Sequence, residues 1–194
     1  LAADGSHSTK FQYHGTATAG LHSAAGNTIG GLGVSPAAHF TSWVIFDSVD
    51  NIPDEEGMAK AFLYASNSVP IQNHSWGNAD FEPLLPGTVE ILAVSNAATL
   101  GRSGRGVVMV RSGGNTRKDD FGTGSGLGDA NLDGYANDPH ALAVGAVSAS
   151  GRVASYSAFG ACLLVAGPGG DAATDKIFTT DPVSGRDVIV IEAG

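Results

Sequence analysis

The sequence places an imidazole and a side-chain amide where each could take part in acyl transfer. His14 begins a run of small residues that ends at Gly20, a composition typical of a helix start that packs closely against other backbone. A helix dipole disfavours a positive charge at that end, so we expect a neutral imidazole, the form that a general base needs. Asn115 follows a Ser-Gly-Gly turn, where its amide can donate a hydrogen bond to the oxyanion of a tetrahedral intermediate. For each residue alone, a surface histidine and a turn asparagine are the simpler interpretations.

The predicted elements would carry such segments to one edge of a sheet. Predicted strands cover residues 39–46, 69–74, 107–111, 141–147 and 162–165, and predicted helices cover 54–68 and 86–100. This alternation with short connections predicts an α/β fold, a parallel sheet with helices on both faces. Because ligands bind beyond the carboxyl ends of the strands in such sheets, we expect residues 73–77 and 112–115 to come together. Residues 116–137 are predicted to form a long loop.

Composition limits the classes of function. The 194 residues are enough for one domain with a core. A formal net charge of −9 with only ten Lys and Arg residues disfavours nucleic acid as a partner and leaves cationic peptides as ligands. No apolar stretch reaches the roughly 18 to 20 residues of a membrane span, so no membrane partner is expected. Cys162 is the one cysteine and is predicted to be a buried structural thiol.

Four short segments in one order carry a family resemblance. They are HGTATAG at residues 14–20, NHSWG at 73–77, SGGN at 112–115 and DGYAN at 133–137. Together they resemble the catalytic core of the subtilisin-like serine proteases, the subtilases (peptidase S8), and in particular the kexin/furin-like branch. The resemblance implies a three-layer α/β fold with a mainly parallel sheet. It also implies that His14 takes the proton from a serine hydroxyl and that Asn115 stabilises the oxyanion.

The same resemblance implies a substrate cleft for a peptide or protein. Ser75, Trp76 and Gly77 match the family's substrate-binding strand and one wall of S1, the pocket for the residue before the cleaved bond (P1). Asp80 and Asp133 match the carboxylates that hold a basic P1 side chain in the furin-like branch. Cleavage after Arg or Lys is therefore the implied specificity. The alternatives are core packing for Trp76 and solvated loop acids for the two aspartates.

Calcium is the ion that the resemblance implies, since it prefers oxygen ligands. The ligands would map to the carbonyls of Ala24, Ile29 and Gly31 and to the side chain of Asn27. The family's aspartate ligands for that site lie upstream and have no match, so a weakened or empty site is expected. Asp129 matches a second calcium segment with its acidic residue displaced by one position, and a polar turn is an equally good interpretation there.

Two members of the expected triad have no match. The chain contains no Gly-Thr-Ser nucleophile segment, and Ser184 lacks the small residues that follow such a serine. Asp4 is preceded by no apolar strand and lies close before His14. We therefore expect a single partial catalytic domain over residues 1–194, truncated at both ends, from a secreted serine endopeptidase. By itself it should be inactive and marginally stable. The alternative is a non-catalytic, peptide-binding pseudoprotease.

Overall fold

The structure is a computed structural model that describes residues 14–28, 30–45, 53–77, 83–117, 128–171, 175–180 and 187–190. Asp4, Ile29, Asp80 and Ser184 lie outside these ranges, and what the sequence suggests for them stays a prediction. The described residues fall into two compact units. The first takes those of Leu1–Asp54 and Lys176–Ile191, and the second takes those of Glu55–Asp175.

A four-stranded parallel sheet forms the second unit. Its strands are adjacent in the order β1 (Ile71–His74), β2 (Val108–Ser112), β3 (Ala141–Val147) and β4 (Leu163–Pro168). All three strand pairs are parallel, and His74 of β1 is in register with Arg111 of β2. Both strands therefore end at the same edge, and the segments that follow them leave the sheet side by side. This confirms the prediction that residues 73–77 and 112–115 lie at the same edge of the sheet.

Two helices of the second unit, α2 (Glu55–Leu63) and α3 (Thr88–Gly104), pack against each other. Met58 and Phe62, which helical spacing places on one face of α2, are 5% and 2% exposed. The spacing of Val89, Leu92, Ala93 and Asn96 predicts one face of α3, and of these only Ala93 is buried, whereas Leu92 is 56% exposed. Small side chains on a buried helix face let a neighbouring element approach closely, and the larger side chain of Leu92 lies outside that face. In the described ranges, no helix is both long and apolar enough to cross a membrane.

The end of α2 differs from the prediction for a local backbone reason, whereas the regular part of α3 ends at residue 100 as predicted. The chain leaves α2 at Leu63, five residues before the predicted end, and Ala65 takes a left-handed conformation with φ 51°. In α3 the helical torsions end before Gly101, which is extended, and Arg102 is left-handed with φ 52°. The Arg102 N–H donates to the Ser66 carbonyl at 3.0 Å, so the turn after α2 and the end of α3 are joined.

The first unit contains helix α1 (His14–Ser23) and an antiparallel hairpin of β5 (Ile177–Thr180) and β6 (Asp187–Val190). The Thr180 hydroxyl donates to the Thr16 carbonyl at 2.9 Å, and the Thr179 hydroxyl donates to the Ala17 carbonyl. Helix α1 is therefore attached to β5 through its own backbone carbonyls. The hairpin was not predicted from the sequence.

The strand predicted over residues 39–46 is wrong as far as the structure describes it. Residues 39–45 form no helix or strand, and the apolar Phe40 is 64% exposed. A buried strand needs a hydrogen-bonded neighbour on its edge, and none of the described strands pairs with this segment.

A buried histidine lies at the end of β1. His74 is 7% exposed, and its ring lies 5.3 Å from the ring of Phe62. Its Nε2 forms a hydrogen bond of 3.2 Å with Gln72, whereas Nδ1 has no hydrogen-bond partner among the described residues. Burial, together with the positive charge of Arg111, lowers the pKa of His74 from 6.5 to about 4. The folded chain thus holds this ring neutral.

Gly20 is expected to be required for the contact between α1 and β5. A Cβ there would overlap the Thr180 hydroxyl and lie 2.8 Å from the Thr180 backbone nitrogen. Gly20→Ala should therefore lower the free energy of unfolding by about 1 to 3 kcal/mol, as overpacking does. Gly15→Ala is the matched control, because nothing lies within 4 Å of a Cβ at Gly15. Urea titration of both variants measures the difference, and equal effects would contradict the close approach.

The burial of His74 predicts a pH-dependent stability. The unfolded chain binds a proton on this ring near pH 6.5 and the folded chain only near pH 4, so the free energy of unfolding should fall as the pH falls through this range. The full effect is about 3 kcal/mol. In His74→Met, urea titrations from pH 7 to pH 4 should show a fall smaller by this amount. Parallel curves for the two proteins would show that His74 titrates normally in the folded chain.

Candidate active site and substrate cleft

The turn after β2 presents Asn115 to solvent. The Gly113 N–H donates to the Val144 carbonyl of β3 at 2.9 Å, which holds the chain against the sheet. Gly114 has φ +99°, a conformation that glycine adopts without strain, and its carbonyl accepts from the Ala158 N–H at 3.0 Å. Asn115 then emerges exposed. An amide that donates to a substrate oxyanion must be accessible and backed by fixed backbone, and this turn provides both.

His14 is the first residue of α1 and is exposed. The predicted helix start at this residue is therefore confirmed. The two threonine hydroxyls of β5 hold the helix that carries it, and the small residues after His14 allow that contact, as predicted. His14 belongs to the first unit and Asn115 to the second.

The predicted cleft segment follows β1 directly. The Ser75 hydroxyl accepts a hydrogen bond of 2.7 Å from the Asn73 amide, and Gly77 is exposed. The half-buried ring of Trp76 packs edge-on against Tyr135, with ring centroids 5.3 Å apart. The side chain of Trp76 is thus part of the packing, one of the alternatives that the sequence left open. The exposed surface of this segment includes Gly77, where the backbone carries no side chain.

Asp133, predicted to hold a basic side chain of the substrate, is already paired within the chain. Its Oδ1 accepts from the backbone N–H groups of Tyr135 and Ala136 at 2.9 and 3.1 Å. Its Oδ2 forms an ion pair of 3.2 Å with Nη2 of Arg111. The resemblance implied that this carboxylate would hold a side chain of the substrate, whereas here it is paired with a basic residue of the chain itself. The sequence did indicate such a pairing, because Arg111 is a charged residue inside a predicted buried strand and therefore requires a partner.

The guanidinium of Arg111 is almost completely buried. The side chain is 3% exposed, and its Cζ lies 4.0 Å from the ring centroid of Trp76 and 4.7 Å from that of Tyr135. Burial lowers the pKa of Arg111, and the charge of Asp133 raises it. Burial also raises the pKa of Tyr135, and a hydrogen bond from its hydroxyl to Glu90 adds to that effect. A cation on aromatic faces with one carboxylate partner is therefore built into the end of β2.

The first predicted calcium loop offers neutral oxygen atoms. The Ala24 carbonyl accepts from the Gly33 N–H at 3.0 Å, which closes the loop, and Asn27 and Gly31 lie within it. Residues 24–31 contain no acidic side chain, and no cluster of three His, Cys, Asp or Glu residues occurs in the described part of the chain. Carbonyl and amide oxygens alone fit calcium poorly, because its tighter protein sites include carboxylates.

Asp129, assigned to the second calcium segment, forms a polar turn. Its Oδ1 accepts from the backbone N–H and the side-chain amide of Asn131 at 2.9 and 2.7 Å. The amide oxygen of Asn131 in turn accepts from the Cys162 N–H at 3.1 Å. The Cys162 thiol is half-buried, and burial raises its pKa, which suits a structural residue rather than a nucleophile.

Known proteins are similar to this chain over most of its length. The sequence matches the subtilase family over residues 2–189. A kexin from Candida albicans is 31% identical over 173 residues, which cover 87% of this chain and 17% of that kexin. A calcium-dependent protease from Trichormus variabilis is 32% identical over 184 residues, which cover 87% of this chain and 25% of that protease. The chain thus spans a quarter or less of the length of these relatives.

The fold has a counterpart among solved structures. A serine protease of Aeromonas sobria, solved in complex with its chaperone, superimposes with a TM-score of 0.71 at 26% identity, over 86% of this chain and 30% of that one. This likeness confirms the predicted three-layer α/β fold. With the family match over nearly the whole sequence and a kexin among its relatives, the chain belongs to the subtilase family and is kexin-like.

Proposed function

We propose that the protein containing this chain is a secreted serine endopeptidase, and that the chain supplies the general base and the oxyanion donor. In the proposed reaction a serine from outside the 194 residues attacks the scissile carbonyl. His14 takes the serine proton and returns it to the leaving amine, while Asn115 donates to the oxyanion. The observation that carries the proposal is the turn after β2, which exposes Asn115 on a backbone fixed to β3.

The substrate would lie in extended form along residues 75–77, beyond the end of β1. Exposed backbone in this position can pair with a peptide strand, and the exposed Gly77 leaves room for it. The kexin-like relationship supports a basic P1 residue. Because Asp133 is paired with Arg111, we assign the direct contact with that residue to Asp80, which lies outside the described residues.

Calcium is proposed as a weakly bound structural ion. The relative from Trichormus variabilis is named as calcium-dependent, which supports calcium as the ion, and the loop at Ala24, Asn27 and Gly31 is the site that we propose for it. The neutral donor set argues for low affinity, comparable with the weakest protein sites at about 10⁻³ M. The ion would stabilise the loop and take no part in the reaction.

A peptide-binding protein without catalysis is the second candidate. It retains the cleft at residues 75–77 and predicts binding without turnover, because a triad without its serine loses nearly all of its rate enhancement. The gene sequence beyond residue 194 separates the two candidates, since only a protease requires the nucleophile.

Catalytic roles for His14 and Asn115 can be tested in the full-length protein. Asn115→Ala should lower kcat for a peptide substrate by about 10² to 10³ with little change in KM, because the oxyanion forms only on the way to the transition state. His14→Ala should lower kcat by roughly 10⁴ or more and suppress labelling by a fluorophosphonate probe. Asn96→Ala, at an exposed position on α3, is the control and should leave kcat unchanged. Full activity in Asn115→Ala would contradict the proposed role of Asn115 as the oxyanion donor.

The calcium assignment predicts a small effect on stability. At 1 mM calcium and a Kd of about 1 mM, the free energy of unfolding should rise by about 0.4 kcal/mol, a Tm shift of roughly 1 °C. Differential scanning calorimetry with calcium and with EGTA measures the shift, and Asn27→Ala should abolish it. A rise of roughly 5 °C or more would show a tight site that these neutral ligands do not explain.

A further inference from the structure

A second group of residues with the chemistry of acyl transfer lies at the turn before β3. The ring of His140 is 31% exposed, and its Nδ1 lies 2.8 Å from Oδ1 of Asp138. Its Nε2 lies 3.4 Å from the hydroxyl oxygen of Ser95 on α3. The two ring nitrogens thus join a serine and an aspartate. This is the arrangement of a nucleophile, its base and the residue that orients the base.

The turn holds the imidazole of His140 in one orientation. The Asp138 side chain is 10% exposed, and its Oδ1 also accepts from the His140 backbone N–H at 2.7 Å. The Asp138 carbonyl accepts from the Ala141 N–H at 3.0 Å, where β3 begins. Because a carboxylate only accepts hydrogen bonds, Nδ1 carries the proton of the neutral ring. The lone pair of Nε2 then faces the hydroxyl of Ser95, as a general base requires.

This group lies away from the turn at Asn115. Strands β2 and β3 are parallel, Asn115 follows the carboxyl end of β2, and His140 precedes the amino end of β3. The two positions are therefore at opposite ends of the strands. Ser95 and His140 are both partly accessible, so a small reagent can reach them from solvent. The proposed protease reaction uses none of these three side chains.

We propose that Ser95 is a second reactive serine, which His140 activates for acylation by small activated esters. The hydroxyl oxygen forms a bond to the ester carbonyl carbon, its proton passes to Nε2 of His140, and the bond from that carbon to the leaving oxygen breaks. The products are acyl-Ser95 and the released alcohol, which takes up the proton. A separation of 3.4 Å is long for this proton transfer, and such distances shorten when a substrate binds.

The test uses p-nitrophenyl acetate and the full-length protein carrying His14→Ala, which removes the proposed protease reaction from the background. Mass spectrometry of the digested protein gives the rate of acetylation at each serine. Ser68 is the internal control, because it is exposed and its hydroxyl donates to the Ala65 carbonyl at 3.1 Å. Ser95 should be acetylated at least about tenfold faster than Ser68, the effect of a positioned base.

His140→Ala separates base catalysis from access to the hydroxyl. Loss of the ring uncovers Ser95, so a rate limited by access would rise, whereas loss of the base should lower it at least about tenfold. Asp138→Ala should lower the rate as well, because the imidazole is no longer oriented. Near-UV circular dichroism checks that both variants fold.

Two results would overturn the inference. One is equal acetylation of Ser95 and Ser68, and the other is a rate at Ser95 that stays the same or rises in His140→Ala. Either result would leave the three residues as a structural connection between α3 and the turn before β3. The protease proposal does not depend on this outcome, because peptide hydrolysis by the protein with His14 intact tests it separately.

Discussion

A buried positive charge at the carboxyl end of β2 constrains the arrangement around the proposed cleft. The guanidinium of Arg111 is removed from water, and a buried cation needs a nearby anion and polarisable neighbours to remain charged. Asp133 provides the anion, and the rings of Trp76 and Tyr135 lie at 4.0 and 4.7 Å from the guanidinium carbon. The chain segments that carry these residues are thereby held at one edge of the sheet. The positions of Gly77 and of the turn at Asp133 follow from this one requirement.

Elements bounded by clear sequence signals could be predicted. The apolar run of β3 matches its predicted limits of residues 141–147, because polar residues flank it on both sides. The turn at Asn115 could be predicted from two consecutive glycines after an apolar strand, and Gly114 does adopt a positive φ. The family resemblance then gave these local features a chemical meaning that spacing alone does not provide.

Other features depend on partners distant in sequence and could not be predicted. Residues 39–45 have the composition of a strand but no described neighbour to pair with. In α3 the buried residues include Ala93 and Ala97, whereas Leu92 is exposed. The partner of Asp133 was missed because a motif match fixes a residue's position and says nothing about which cation lies nearest. Pairing across 22 positions of sequence is a tertiary property.

The attachment of α1 to β5 has a consequence for how the protein acquires its structure. The hydrogen bond between Thr180 and Thr16 joins residues 164 positions apart. Closing so long a loop carries a large entropic penalty, and contacts of this range slow folding. During synthesis, helix α1 can gain these contacts only after residue 180 has left the ribosome. The imidazole at the start of that helix is therefore held in its final place late, and a nascent chain does not yet hold in place the His14 that the proposed reaction requires.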